Sequence, residues 1–334
     1  MRVLLRAVFL VCLLLPQAVA ASPGLDIVVV AHRGSGPSDL VLVDPETGRT
    51  CLLLPSADAG DQPSAHRAPH WSGDGAWIAF ASLMPERPPD HPEMFEAGPG
   101  IYRIDAEGHS LCRIAPLRAF AEPEPAWSPT AQQIVYADLV LDRPCTGGRC
   151  PQWDLFRVDA ACGATPVNLT RTPERDERFP AWSPDGRWVA ASVGPSDPGV
   201  PHVQDLAVFE PGPDRLEEVF RPGRPDGCLA AVFSDWSRQG DRLAACCVAE
   251  DDPSSSLWLF TLADRAWTRL TAFGERGLHP TWSPGDGLLA FDHEDGPELR
   301  VRESVPGPSG RTLSLTPEGV DIRYMGPDWR RAGR

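Results

Sequence analysis

Short apolar runs recur along this chain, each ended by a cluster of proline, glycine, serine or aspartate, as in a protein built of many brief strands. The clearest copy of the pattern is Phe179 to Ala191, F-P-A-W-S-P-D-G-R-W-V-A-A. Ala181 and Trp182 end one extended run, and Trp188 to Ala191 form the next. Ser183-Pro184-Asp185-Gly186 lies between them, with proline where a tight turn needs a fixed φ and glycine where it needs φ > 0. The unit is therefore predicted to be a β-hairpin. Related copies centre on Trp71, Trp127, Trp236 and Trp282, with a truncated one on Trp329. The six tryptophans are spaced by 56, 55, 54, 46 and 47 residues, a period that fits the blade of a propeller.

Each period carries the same plan: a tryptophan strand, a turn, an apolar strand, a variable loop, and two more strands. In the Trp71 unit the predicted strands are Pro69 to Trp71, Ala76 to Ala81, Gly100 to Asp105 and Ser110 to Ala115. In the Trp127 unit they are Pro125 to Trp127, Gln133 to Ala137, Asp154 to Asp159 and Thr165 to Leu169. Four antiparallel strands make one blade. The ends of the chain complete each other. Leu25 to Ala31, Ser38 to Val43 and Thr50 to Leu54 read as three strands with no tryptophan strand before them, and Asp321 to Trp329 as a tryptophan strand with nothing after it. The fold predicted is all-β, a six-bladed propeller closed by pairing the last strand with the first three, which leaves no long sheet edge exposed.

Met1 to Ala20 reads as a secretory signal, with Arg2 and Arg6 at the start, an apolar run from Ala7 to Leu15, and Ala18-Val19-Ala20 as the cleavage site. The propeller then occupies 21–334, and the expected location is periplasmic or secreted. Cys12 follows Val11 and comes too early for a lipoprotein signal. No later run reaches membrane-spanning length, so the mature chain is expected to carry no transmembrane segment. Losing Arg2 and Arg6 takes the formal charge from −15 to −17. A surface of that sign disfavours nucleic acid and anionic lipid. All 31 basic residues are arginine, which excludes a lysine nucleophile, Schiff base or phosphate-loop lysine.

Eight cysteines remain beyond the signal, compatible with disulfides in an oxidising compartment. Cys145 is expected to pair with Cys150 across a short loop, and Cys228 with Cys246 or Cys247; Cys51, Cys112 and Cys162 are read as partly buried thiols.

The P-x-W-S-P-D-G hairpin, the I-Y-x-x-D strand at Ile101 to Asp105, and the L-T endings at Leu169-Thr170 and Leu270-Thr271 resemble the WD40-like repeat of the TolB-type six-bladed propellers. The resemblance covers nearly all the mature chain. It implies the fold, and leaves function open because one fold hosts many activities. TolB itself carries an α/β domain before its propeller; here strands begin at Leu25, so a propeller without that domain is expected.

Such a scaffold places the Ser-Pro-Asp-Gly turns on one face and the longer loops on the other. The long-loop face is expected to carry Ser82 to Pro99, Asp138 to Gln152, Gly194 to Gln204, Glu250 to Ser255 and Asp292 to Pro297. Seven of eight histidines fall in or beside those loops. His32, Asp138, His279, Asp292 and His293 are the candidate binding residues at the channel mouth. If His32, His279 and His293 converged with Asp292 and Glu294 they would hold a divalent metal; as separate loop residues they are solvated, and no H-x-x-x-H spacing favours the metal. The acidic runs Glu250 to Asp252 and Asp292 to Asp295 lack the spacing of a calcium loop. There is no G-x-S-x-G hydrolase motif. Ser72 and Ser183 open structural turns, although their strings superficially match sialidase aspartate boxes.

The leading expectation is a non-catalytic binding or scaffolding propeller, without a cofactor, that engages a protein or peptide of the bacterial envelope as a monomer. The alternatives are a metal-dependent carbohydrate lyase or hydrolase, and a small-ligand sensor. A scaffold is expected to show an apolar patch among Met84, Met94 and Phe95, unless these tuck against their own blade.

Overall fold

The structure is a computed structural model that describes residues 24, 26–32, 38–56, 65–84, 98–118, 123–145, 148–196, 203–250, 254–272, 274–294, 296–306, 310–316 and 322–331. The expected signal Met1–Ala20, His91, His202, Met94 and Phe95 lie outside these residues, as do the side chains of Cys145 and Cys150.

Six sheets of four antiparallel strands form the six predicted blades, and the closing blade joins the last strand to the first three. Blades one to six are numbered here by Trp71, Trp127, Trp182, Trp236, Trp282 and Trp329. In blade six, Arg323–Trp329 pairs with Ile27–His32, which continues to Ser38–Val43 and Thr50–Leu54.

The tryptophans hold the ring together. All six are at most 5% exposed, and each belongs to a separate apolar cluster shared with the preceding blade. Trp71 packs with Val28, Val30 and Leu40 of blade six; Trp282 packs with Val232 and Ala244 of blade four. The indoles of Trp236 and Trp282 also donate to the carbonyls of Ala181 and Asp235 in the blade before, each at 3.2 Å. The serine turns are structural as expected. Ser183 Oγ donates to Asp185 at 2.6 Å and accepts the Trp188 N–H at 2.8 Å, while Gly186 sits at φ +72.

Two expectations need correction. Asp138 to Gln152 is not a loop: the strands Gln133–Cys145 and Gly148–Asp159 run through it as one extended hairpin, because ladder hydrogen bonds satisfy its backbone better than an open excursion. Cys112 and Cys162 are not thiols but form a disulfide between the outer edges of blades one and two. Their separation of 50 residues is close to one blade period, so equivalent heights on neighbouring blades bring them together. Met84 follows the second of its two expected arrangements, tucked into the core with Ile78 and Phe80 of its own blade. The Cys228 expectation holds: its partner is Cys247, across the first two strands of blade four, and Cys246 remains a buried thiol.

The central channel as candidate functional site

Among the described residues, the innermost strand of every blade pairs with one other strand and leaves its second edge open, apart from a single bridge from Gln204 to Ala230 in blade four. It is irregular at the same place each time. Three residues before each tryptophan the backbone turns left-handed, at Ala68, Glu124, Phe179, Phe233, His279 and Gly326, with φ between 37 and 55. The ladder to the second strand skips there, for example between Arg67 and His70, Arg178 and Ala181, and Leu278 and Thr281. Proline occupies the next position in five blades (Pro69, Pro125, Pro180, Pro280, Pro327). Having no N–H, it cannot continue a ladder, and a bulge is where a strand tolerates it. The bulge swings these residues inward, where they line a central channel with a cavity of about 80 Å³.

Position −1 to the tryptophan then links neighbouring blades. Asp328 Oδ2 accepts the Trp71 N–H at 2.7 Å, Asp235 Oδ2 the Trp282 N–H at 2.8 Å, and Thr281 Oγ1 the Trp329 N–H at 3.2 Å, while His70 Nδ1 stands 2.8 Å from the Trp71 carbonyl and 3.2 Å from the Trp127 nitrogen. These donors lie on the uncovered strand edge and need partners from elsewhere. Blades two and three have alanine at this position and offer no such link.

The wall is asymmetric. Phe179, Phe233 and His279, from three consecutive blades, form an aromatic arc with ring centroids 4.3 and 4.0 Å apart. The opposite side carries the small residues Ala68 and Gly326 and the carboxylate Glu124. Five non-glycine residues held left-handed around one cavity concentrate backbone strain there, as ligand-binding sites do.

Of the five candidates read from the sequence, His279 lies in this wall. Its Nδ1 is 2.8 Å from Oδ1 of Asp292, which is fully buried and whose Oδ2 has no hydrogen-bond partner. The structure therefore brings His279 and Asp292 together. His293, His32 and Asp138 lie outside the lining. Burial lowers the His293 pKa, with Arg300 adding to the effect; His32 is likewise lowered by burial and by Arg67 and Arg323. Asp138 is buried and accepts the N–H groups of Leu139 and Arg118, which fixes the link between blades one and two. Among the described residues no three His, Cys, Asp or Glu side chains converge as ligands for a metal ion. Phe179, Phe233, Glu124, Asp235 and Asp328 were missed in the sequence reading. The signal that marks them is a residue that varies at a fixed offset before an invariant tryptophan.

The fold and its channel define a six-bladed β-propeller. Solved structures agree on that architecture. TolB from Acinetobacter baumannii is similar over 91% of this chain and 66% of its own length, with 15% identity and a TM-score of 0.64. This chain thus spans about two-thirds of that protein. A putative TolB from Agrobacterium tumefaciens matches over 90% of this chain and 98% of its own, at 15% identity and a TM-score of 0.57. Kuenenia stuttgartiensis hydrazine synthase matches over 93% and 48%, at 14% identity and 0.62. At such identities the likeness is one of fold. No family model and no curated protein matches the sequence.

Proposed function

We propose that this chain is an exported, non-catalytic binding propeller of the bacterial envelope, and that its channel mouth receives a segment of a protein or peptide partner. The observation that carries the reading is the aromatic arc of Phe179, Phe233 and His279, presented from strained backbone into a cavity on a rigid ring. Aromatic rings on fixed supports provide contact area at little entropic cost, which favours recognition of side chains. The strongly acidic composition argues against nucleic acid. Two disulfides suit an oxidising compartment, as the apparent signal segment requires. No helix among the described residues is long and apolar enough to cross a membrane. His32, Asp138 and His293 belong in this reading to the surrounding face.

Panning a displayed random-peptide library on the mature protein tests the proposal. The wild type is expected to enrich a sequence class that Phe233→Ala fails to retain while melting within a few degrees of wild type. Enrichment that Phe233→Ala leaves unchanged would move the binding surface out of the channel.

A further inference from the structure

Two blades depart from the repeat just after their tryptophan. Two positions beyond it, four blades have glycine or proline (Gly73, Pro129, Pro184, Pro284), but blades four and six have Arg238 and Arg331. The same two blades carry aspartate just before the tryptophan, giving Asp235-Trp236-Ser237-Arg238 and Asp328-Trp329-Arg330-Arg331. Both arginines thus lie at the turn-face end of the channel, beyond the ring of tryptophans.

Arg238 is firmly held. Its Nη2 donates to the carbonyls of Trp282 at 2.6 Å and Trp329 at 3.3 Å, and the N–H groups of Arg238 and Gln239 both reach the Asp286 carboxylate. Its Nε is nevertheless buried without an acceptor. Arg331 Nη1 is sealed from solvent and has no hydrogen-bond partner. Burial pushes the Arg331 pKa down to about 10, the neighbouring Arg238 charge acts in the same direction, and the Asp235 and Asp328 carboxylates oppose them. The nearby carboxylates are engaged elsewhere. Asp328 accepts from the Trp71 N–H and the Thr281 hydroxyl, and Asp235 from the N–H groups of Trp236 and Trp282. Two half-buried arginines, brought near each other by the bond from Arg238 to the Trp329 carbonyl, thus each keep a sealed nitrogen without an acceptor, an arrangement unfavourable until one fills it.

We propose that Arg238 and Arg331 form a binding site for a small oxyanion, a carboxylate or a phosphate-type group, at the turn-face end of the channel. The planar forks of two arginines match such oxygens, which would accept from Arg331 Nη1 and Arg238 Nε and relieve the repulsion between the two cations. This site lies on the turn side of the tryptophans and the aromatic arc three residues before them, so it stands whether or not a peptide binds at the arc.

The experiment is thermal melting of the mature protein at constant ionic strength, with chloride replaced stepwise by sulfate in one arm and by acetate in the other. The wild type is expected to show a rise of about 2–4 °C when the anion reaches ten times its Kd, continuing with the logarithm of its concentration beyond that. Arg331→Gln loses that rise and melts no lower than wild type in chloride. Arg311→Gln, at an exposed site, retains the rise. General salting-out by sulfate affects all three proteins equally and cancels in the comparison. A response to sulfate alone assigns a phosphate-type ligand, and one to acetate a carboxylate. Calorimetric titration of sulfate and of acetate into wild-type protein gives a second measure that needs no variant. Absence of binding in both titrations, or a melting response that persists in Arg331→Gln, overturns the site.

Discussion

The tryptophans and the residues three places before them lie on the same inner segment of each blade, yet follow opposite rules. The tryptophan is the same in all six blades and is sealed between neighbours. The earlier position repeats its left-handed backbone but never settles on one side chain, running through alanine, glutamate, two phenylalanines, histidine and glycine. Closing the ring constrains both backbones, but only the tryptophan must also fill a space between blades. The inward position faces a cavity and is free to specialise.

Truncating a tryptophan should have the largest effect. Trp282→Ala removes a fully buried side chain from the layer between blades four and five and is expected to cost about 3–5 kcal/mol, seen as a lower denaturation midpoint. If Trp282→Ala and Phe233→Ala lose equal stability, the division of labour between the two positions fails.

A third position on the same strand sharpens the contrast. Glu177 is fully buried two residues before Phe179, where its carboxylate accepts from the Thr172 hydroxyl at 2.6 and 2.8 Å. Burial raises its pKa to about 7 from an ordinary 4.5, with Thr172 and Arg175 opposing. The folded state then holds a proton that the unfolded state releases, so stability is present below about pH 4.5 and is lost as pH rises through 7. Glu177→Gln removes this dependence. Its advantage over wild type should grow from near zero at pH 4.5 to about 2–3 kcal/mol at pH 8, read from urea midpoints across that range. A difference that stays flat with pH would show that the carboxyl is ionised throughout.

His279 combines the two roles, since it stands in the channel wall and also serves a buried group. His279→Ala leaves Asp292 without its ring partner and is expected to cost about 2 kcal/mol, whereas Phe233→Ala costs less. Comparing the two melting temperatures tests whether an inward residue is free only when nothing behind it depends on it. The smallest effect should come from Ala68→Gly. Relieving a φ of 46 at a position with no large side chain is expected to add about 0.5–1 kcal/mol of stability, measurable by denaturant titration.

Much of this architecture was legible in advance because each blade is specified locally. Ser38–Val43 and Thr50–Leu54 fall where alternation and turn residues placed them, and the inference that Trp329 completes the first three strands agrees with the observed pairing. Where the reading failed, the determining contact lay one blade away. The hairpin through Asp138 was mistaken for a loop, since its polar and proline-rich residues hide a ladder that only its partner strand completes. Cys112 and Cys162 show no local motif, and meet because the ring sets equivalent heights side by side. For the candidate site, histidines and acidic residues suggested chemistry by type, but type did not reveal direction. Of five residues expected at the mouth, His279 faces the channel and Asp292 stands behind it, while the aromatic arc went unnoticed as ordinary core.

What the sequence alone determined is the repeat: tryptophan packing, serine turns, four strands to a blade, and six blades closed by the two ends of the chain. These depend on interactions within a few residues or on a period that can be counted. The tertiary structure alone decided which side chains face one another across the channel. A bulge three residues before each tryptophan rotates the strand's inner edge, and six separate segments then meet at one axis. Asp235, Asp328, Arg238 and Arg331 are spread over nearly a hundred residues of sequence, and only closure of the ring gathers them at one end of the channel, where burial turns ordinary surface charges into a site.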